Sequence, residues 1–127
     1  MSSKKRTPQK AYVVISNRNN QVLLVQEKIG GISGLWGLPG GGIEIDEGIR
    51  EGLRREVQEE IGCDVKLIAE LQMSGENRRI FTGEIGSTDI KINASELLDA
   101  RWCKLEEAKK LPLRGQWVQE AVEKALA

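Results

Sequence analysis

The sequence contains no histidine, and this absence limits the chemistry available to the chain. Without histidine it can build neither a Ser-His or Cys-His catalytic pair nor a histidine-ligated zinc site. Its two cysteines are too few for a four-cysteine zinc site. Both cysteines lie among apolar residues, so we expect buried thiols rather than a disulfide. Any acid–base chemistry must therefore depend mainly on carboxylates.

A charge imbalance and long apolar runs are absent as well. Lysine and arginine together number 19, as do aspartate and glutamate, so the formal net charge is zero. This balance gives no global reason for non-specific binding to nucleic acid. No apolar run is long enough to span a membrane, and no signal-peptide hydrophobic segment is visible at the N-terminus. We therefore expect a soluble, cytoplasmic protein with no membrane partner.

The length of the chain suggests a single domain. A chain of 127 residues is large enough for one hydrophobic core. We expect residues 1–9 to form a flexible tail and residues 10–127 to form one domain. The only basic cluster, residues 4–6 with Lys10, lies at this end. A solvated cluster is the simpler interpretation, and contact with a polyanionic substrate is the alternative.

The apolar periodicity predicts an α+β fold. Segments with β-branched or alternating residues predict strands at 11–16, 22–26, 64–71, 79–85 and 100–103. Helical spacing predicts helices from near Glu47 to Ile61, at 105–111 and at 116–126. We expect the first two strands to form a hairpin across the turn at 17–20. Gly62 is expected to cap the first helix at its C-terminus.

The acidic helix that follows the glycine-rich turn at residues 38–42 is the most informative segment. At about 100° per residue, Glu56, Glu59 and Glu60 fall on one helix face. Three like charges on one face destabilise a helix unless a cation compensates them. Carboxylate oxygens suit a hard divalent ion such as Mg²⁺ or Mn²⁺. The alternative is a solvated acidic face with no bound ion. The helix also has an apolar stripe that can face a core, made of Leu53, Val57 and Ile61.

The spacing from Gly41 to Cys63 resembles the Nudix box, G-x5-E-x7-R-E-U-x-E-E-x-G-U, where U is a bulky aliphatic residue. Cys63 departs from the pattern at the last position, although a buried cysteine behaves as a small hydrophobe. The remaining fixed positions match through Gly41, Glu47, Arg55, Glu56, Val57, Glu59, Glu60 and Gly62.

This resemblance implies a fold and an activity. The implied fold is a MutT-like mixed β-sheet sandwiched between helices, an α/β/α sandwich, from about residue 10 onward. The implied activity is Mg²⁺-dependent hydrolysis of a nucleoside diphosphate linked to another group, with Mn²⁺ as a substitute. The cation would neutralise the substrate and acidify the attacking water.

The resemblance also implies roles in metal binding and catalysis. Glu56 and Glu60 correspond to the principal metal ligands, and the Gly40 carbonyl to a backbone ligand. Glu59 corresponds to a further ligand or the general base, with Glu56 as its rival for the base. Glu96, in the loop before the last strand, is either an extra ligand or base, or a helix-capping or solvated carboxylate.

Other positions are expected to support the site. Glu47 and Arg55 resemble an ion pair that links the loop to the helix and orients the glutamates. The resemblance also implies that Gly41 and Gly62 have supporting structural roles.

Substrate-binding residues are less determined by the sequence. Lys28 is expected to contact a phosphate because it lies at the far end of the predicted hairpin. Arg79, with Arg78 beside it, is a weaker candidate. Among the few aromatic residues, Trp36 is expected to stack on a base because it lies in the loop that leads into the box. Trp102 and Trp117 are expected in the core.

Several substrates remain open. The residues after the box lack the marks of the ADP-ribose, dinucleoside-polyphosphate and NADH subgroups. This favours a (d)NTP pyrophosphohydrolase, with oxidised nucleotides among its candidate substrates, that releases a nucleoside monophosphate and pyrophosphate. The alternatives are an ADP-ribose or nucleoside diphosphate sugar pyrophosphatase, an enzyme acting on RNA 5′ ends, and a non-catalytic nucleotide sensor. The intact glutamates favour catalysis over sensing. Either a monomer or a homodimer is compatible with the sequence.

Overall fold

The computed structural model describes residues 9–75, 78–87 and 89–127. The predicted tail, except for Gln9, lies outside the described residues, as does most of the basic cluster. Within them the elements, in chain order, are β1 (Gln9–Ile15), β2 (Val22–Glu27), β3 (Trp36–Gly37), β4 (Gly40–Ile43), α1 (Ile49–Ile61), β5 (Val65–Leu71), β6 (Arg79–Ile85), β7 (Leu97–Cys103), α2 (Leu105–Ala108) and α3 (Gln116–Leu126).

The strands form two sheets. The first has the order β4-β1-β6-β5, in which β1 and β6 are parallel and the other pairs are antiparallel. The second is antiparallel and has the order β3-β2-β7. Mixed sheets with helices confirm the predicted α+β class.

Two apolar clusters hold the helices against the sheets, and β1 contributes to both. Ala11, Val13 and Ile15 lie in one cluster with the apolar stripe of α1. Tyr12 and Val14 point to the opposite face and lie in a second cluster with α2 and α3. Successive side chains of a strand alternate between faces, so one fully buried strand can serve two cores. The sheets are therefore sandwiched between α1 and the pair α2 and α3.

The predicted hairpin of the first two strands is wrong. Both edges of β1 are occupied, by β4 and β6, so no edge is left for β2. A single bridge joins Ser16 to Val22, after which β2 continues into the second sheet. The turn itself forms as expected, because the Asn17 side chain accepts hydrogen bonds from the backbone N–H groups of Asn19 and Gln21, at 2.9 and 3.1 Å.

The boundaries of α1 follow from local hydrogen bonds. The helix begins at Ile49, slightly later than predicted, because the Glu47 side chain accepts a bond from the Glu44 N–H at 2.9 Å and belongs to the preceding turn. At the other end Gly62 has a φ of 68°, and its N–H donates to the Gln58 carbonyl. Gly62 thus forms the predicted C-cap, in a conformation that favours glycine.

Two other predicted elements differ from the structure by three residues at one end. β7 begins at Leu97, three residues before the predicted start at Ala100. α2 ends at Ala108 rather than at residue 111. Within the described ranges, no helix is both long and apolar enough to cross a membrane.

Gly40 occupies a position that only glycine fits. Its φ is 140°, and a Cβ atom would lie 2.2 Å from the Ala11 carbonyl oxygen and 2.7 Å from the Tyr12 Cα. Both obstacles are backbone atoms of the neighbouring strand β1, so they cannot move aside without loss of strand pairing. This close approach fixes β4 against the centre of the first sheet.

Gly40→Ala should therefore destabilise the protein by about 3 kcal/mol or more, because it combines backbone strain with a clash against β1. Gly42→Ala is the matched control, since a Cβ on this neighbouring glycine meets no atom within 4 Å. Urea unfolding followed by circular dichroism measures both. Equal unfolding free energies for the two variants would contradict the packing described for Gly40.

Candidate active site

Glu60 is a buried carboxylate at the centre of the site. It lies on α1 and is 7% exposed, the one charged residue among the buried residues that the structure describes. Its Oε1 accepts a hydrogen bond of 2.8 Å from the Gly40 N–H. Burial raises the pKa of Glu60 to about 9, with a further rise from the charges of Glu27, Glu56 and Glu96. The Gly40 hydrogen bond acts in the opposite direction. In the described structure Glu60 has no cationic side chain as a salt-bridge partner.

Glu56 lies one helical turn before Glu60, and the charged form of its carboxyl group is also disfavoured. Burial raises the pKa of Glu56 to about 7, partly opposed by Arg55, whose Nη1 lies 3.6 Å from its Oε1. A Cβ on Gly41 would lie only 3.2 Å from this carboxylate. The absence of a side chain at Gly41 therefore leaves the carboxylate room beside β4.

Arg55 organises the outer side of the cluster. Its guanidinium binds Glu47 in a bidentate manner, with Nη2–Oε1 at 2.6 Å and Nε–Oε2 at 3.1 Å. Its Nη1 also lies 2.6 Å from Glu59 Oε1. The hydrogen bond from Arg55 lowers the pKa of Glu47. The structure thus contains the Glu47–Arg55 pair that the resemblance implies. Glu59 contacts the same arginine.

The structure brings Glu96 to this cluster through the loop before β7. The Asn93 N–H donates to the Glu60 carbonyl at 2.8 Å, which joins the loop to the end of α1. The Lys28 N–H donates to the Glu96 carbonyl at 3.1 Å, which joins the same loop to β2. The Glu96 side chain is half-buried, and its charge contributes to the raised pKa values of both Glu56 and Glu60.

Sequence reasoning missed Glu27, which forms another side of the cluster. Its side chain is 14% exposed and lies 3.4 Å from the Arg114 guanidinium. Burial raises the pKa of Glu27, the charge of Arg114 lowers it and that of Glu96 raises it. Glu27 ends an apolar strand immediately before Lys28, and this is the only signal in the sequence that could have drawn attention to it.

The three residues predicted to bind substrate lie in different environments. Lys28 is exposed, and its Nζ donates to the Ala94 carbonyl at 2.8 Å, so it fastens the loop that carries Glu96. Trp36 is 6% exposed and belongs to the second core, which favours packing over stacking on a base. Arg79 binds Glu70 in a bidentate pair at 2.7 and 2.8 Å, and no carboxylate of the cluster is its partner. The structure does not bring Trp36 or Arg79 into the cluster.

The donor set is compatible with a hard divalent cation. Every donor atom is an oxygen. Glu56 and Glu60 lie one helical turn apart, and burial raises the pKa of each. A bound cation would stabilise their charged forms. Among the described residues, however, no three carboxylates are arranged to enclose an ion. The reason is visible in the contacts, because Arg55 holds Glu59 and the Gly40 N–H occupies one Glu60 oxygen. The residues that fit the ion best are Glu56 and Glu60, with Gly40 beside them.

Comparisons with known proteins agree on one family. A family model described as "NUDIX domain" matches residues 6–125. The 8-oxo-dGDP phosphatase NUDT18 of Danio rerio is 35% identical over 120 residues, which cover 89% of this chain and 36% of that protein. Nudix hydrolase 6 of Arabidopsis thaliana is 34% identical over 106 residues, which cover 74% of this chain and 38% of that protein. The chain thus spans little more than a third of these relatives.

Solved structures show the same fold. A NUDIX hydrolase from Nitrosomonas europaea superposes with a TM-score of 0.82 at 22% identity, covering 94% of this chain and 88% of that one. At this identity the likeness concerns the fold alone.

Glu60→Gln should stabilise the metal-free protein, and increasingly so as pH rises. The pKa of Glu60 is about 9 when folded, above its ordinary value of 4.5, so the folded state holds the proton more tightly than the unfolded state. The resulting stability is fully present below pH 4.5 and is lost as pH rises toward 9. Glutamine keeps the shape and an acceptor oxygen without a charge.

The check is thermal unfolding in EDTA at pH 5 and pH 8.5. We expect the variant to unfold about 3 °C or more above the wild type at the higher pH, with a smaller difference at pH 5. The exposed Glu84→Gln on β6 is the control and should show no pH-dependent difference. A Glu60→Gln difference that does not change with pH would contradict the electrostatic description of the site.

Proposed function

The chain belongs to the Nudix family, and on that premise we propose that it is a divalent-metal-dependent pyrophosphohydrolase of nucleotides. The observation that carries the proposal is the pairing of the buried Glu60 with Glu56, two carboxylates with raised pKa values in a site built from oxygen donors. A site of this kind is unfavourable on its own and becomes favourable when a cation binds. This fits a protein whose substrate arrives as a metal complex.

We assign binding of the cation to Glu56 and Glu60, with the carbonyl of Gly40, whose N–H contacts Glu60, as a third candidate ligand. The Gly40 N–H fixes one Glu60 oxygen, so the other oxygen is available to a ligand. When bound, Mg²⁺ or Mn²⁺ would neutralise the phosphates and lower the pKa of the attacking water. Arg55 keeps Glu47 in place and so anchors the loop that faces the helix.

Water would attack a phosphorus atom of the substrate, and a carboxylate would take its proton. Apart from the proposed metal ligands, the candidate proton acceptors that the resemblance implies are Glu59 and Glu96. Glu59 lies 2.6 Å from the Arg55 guanidinium, so its carboxylate is already engaged by that side chain. The only hydrogen bond to the Glu96 side chain from the described residues comes from the Asn93 side chain, at 3.5 Å. Glu96 is therefore the better placed base.

The proposed substrates are nucleoside di- and triphosphates. The Danio rerio relative is an 8-oxo-dGDP phosphatase, which supports oxidised guanine nucleotides as the first to test. Hydrolysis of a triphosphate between its α- and β-phosphates would release a nucleoside monophosphate and pyrophosphate. A homodimer and a monomer both accommodate this chemistry.

A phosphate-release screen tests the activity. Wild-type protein is incubated with Mg²⁺ or Mn²⁺, coupling enzymes and a panel of (d)NTPs, 8-oxo-dGDP, 8-oxo-dGTP and ADP-ribose. We expect metal-dependent release from the di- or triphosphates. Glu60→Gln should lower kcat by about 100-fold, since the loss of a ligand costs at least as much as the loss of its supporting contacts. No release from any substrate with either metal, or a variant near wild-type rate at saturating Mg²⁺, would contradict the proposal.

The base is tested with a matched pair of variants. Glu96→Gln should lower kcat by about 100-fold with little change in KM, because it removes a proton acceptor and no substrate contact. Glu59→Gln should have a smaller effect on kcat. Steady-state kinetics at saturating Mg²⁺ measures both, and a larger loss in Glu59→Gln than in Glu96→Gln would transfer the base role to Glu59.

A further inference from the structure

A single asparagine, Asn93, joins the helix that carries the proposed metal ligands to the loop that carries Glu96. Its backbone N–H donates to the Glu60 carbonyl at 2.8 Å, and the N–H of Lys91 donates to the Ile61 carbonyl at 3.0 Å. Both carbonyls belong to the last turn of α1, where carbonyl groups have no partner within the helix. The loop supplies these partners and is thereby fixed to the end of α1.

Asn93 also begins the turn that leads into β7. Its carbonyl accepts hydrogen bonds from the N–H groups of Glu96 and Leu97, each at 2.9 Å. Its Oδ1 accepts from the Ser95 N–H at 3.1 Å and from the Ser95 hydroxyl at 2.6 Å. An asparagine side chain that binds the backbone two residues later forms an Asx-turn. This turn determines where Glu96 lies relative to α1.

The same bonds fix the orientation of the Asn93 amide. A backbone N–H can only donate, so the amide atom that faces Ser95 must be the oxygen. The Nδ2 group is thus left for Glu96, whose Oε2 lies 3.5 Å away. This distance is long for a hydrogen bond, and contacts between catalytic groups are often long before a substrate binds.

The Glu96 carboxylate needs a donor because its neighbours repel it. Its charge raises the pKa values of three other carboxylates, those of Glu27, Glu56 and Glu60. Repulsion between like charges is mutual, so these carboxylates also act against a fixed position of Glu96. Within the ranges that the structure describes, Glu96 has no salt bridge, and Asn93 is the only side chain that donates to it.

We propose that Asn93 is a positioning residue, which holds the Glu96 carboxylate beside the proposed metal ligands so that it can take the proton of the attacking water. A neutral amide suits this role because it donates through Nδ2 and accepts through Oδ1 at the same time. Aspartate would keep the turn but would place a second negative charge next to Glu96. The proposal rests on the proposed function for the role of Glu96, but the contact itself can be measured without catalysis.

Steady-state kinetics at saturating Mg²⁺, with the nucleotide that the wild type hydrolyses fastest, provides the first test. Asn93→Asp should lower kcat about tenfold with KM unchanged, because Glu96 loses its supporting contact and the substrate loses none. Asn93→Ser can form a similar turn without reaching Glu96, and it should lower kcat as well.

Ser95→Ala is the matched control for these variants. It removes the hydroxyl that binds Asn93 Oδ1 but no contact with Glu96, so it should keep the kcat of the wild type. Circular dichroism establishes that each variant is folded. Values of kcat in Asn93→Asp and Asn93→Ser that equal that of Ser95→Ala would overturn the proposal.

A role that acts through Glu96 also predicts that the effects are not additive. In the Glu96→Gln background, Asn93→Asp should cause no further loss of kcat, because the proton acceptor that Asn93 holds is already gone. A residue that only maintains the loop would lower kcat by the same factor in both backgrounds, and that result would overturn the proposal.

Thermal unfolding in EDTA at pH 8 measures the contact without turnover. Asn93→Asp should lower the Tm by about 3 °C in the wild-type background, and by less in Glu96→Gln, where the repelling charge is absent. Equal losses of Tm in the two backgrounds would overturn the proposal.

The two proposals fail in different ways. Turnover in the phosphate-release screen that Asn93→Asp and Asn93→Ser leave unchanged would remove the positioning role and leave the proposed function in place. Absence of turnover, together with a Tm loss that depends on Glu96, would remove the proposed function and leave Asn93 with a contact that only stabilises the loop.

Discussion

The contact between Gly40 and Glu60 holds the site together. It requires β4 to approach β1 so closely that a Cβ on Gly40 would lie 2.2 Å from the Ala11 carbonyl oxygen. Only in this position does the Gly40 N–H meet the Glu60 carboxylate, 20 residues later in the chain. That hydrogen bond favours the charged form of Glu60, while burial opposes it with the larger effect. The fold thus places the Glu60 carboxylate in an environment where its charged form needs a further stabilising interaction.

Two arginines partly neutralise the negative charge around Glu60. Arg55 neutralises the outer side through Glu47 and Glu59, and Arg114 neutralises the inner side through Glu27. Neither lies within salt-bridge distance of Glu60. The geometry therefore leaves Glu60 without a salt bridge and Glu56 with only the 3.6 Å contact to Arg55, and a divalent cation would gain most at these two carboxylates.

Local patterns in the sequence predict most of the elements but not their partners. The strand at residues 79–85 and the helix at 116–126 agree with the structure residue for residue, because alternation and helical spacing are recorded in neighbouring positions. The hairpin of β1 and β2 is wrong because strand pairing depends on β4 and β6, which are distant in sequence. Fixed spacing within one segment predicts Glu47 and Arg55 together with Glu56, Glu59 and Glu60 of α1. Glu27 and Arg114 are 87 residues apart and belong to no motif, so only the folded chain shows that they meet.

The alternation of β1 lets one strand support helices on both faces of its sheet. Ala11, Val13 and Ile15 support α1, which carries the glutamates, and any change there disturbs the proposed metal site. Tyr12 and Val14 face the opposite side and pack in the second cluster with α2 and α3. A motif with fixed spacing inside one segment therefore identifies the family from sequence, whereas the two cores that hold that segment are formed by residues that only the tertiary structure brings together.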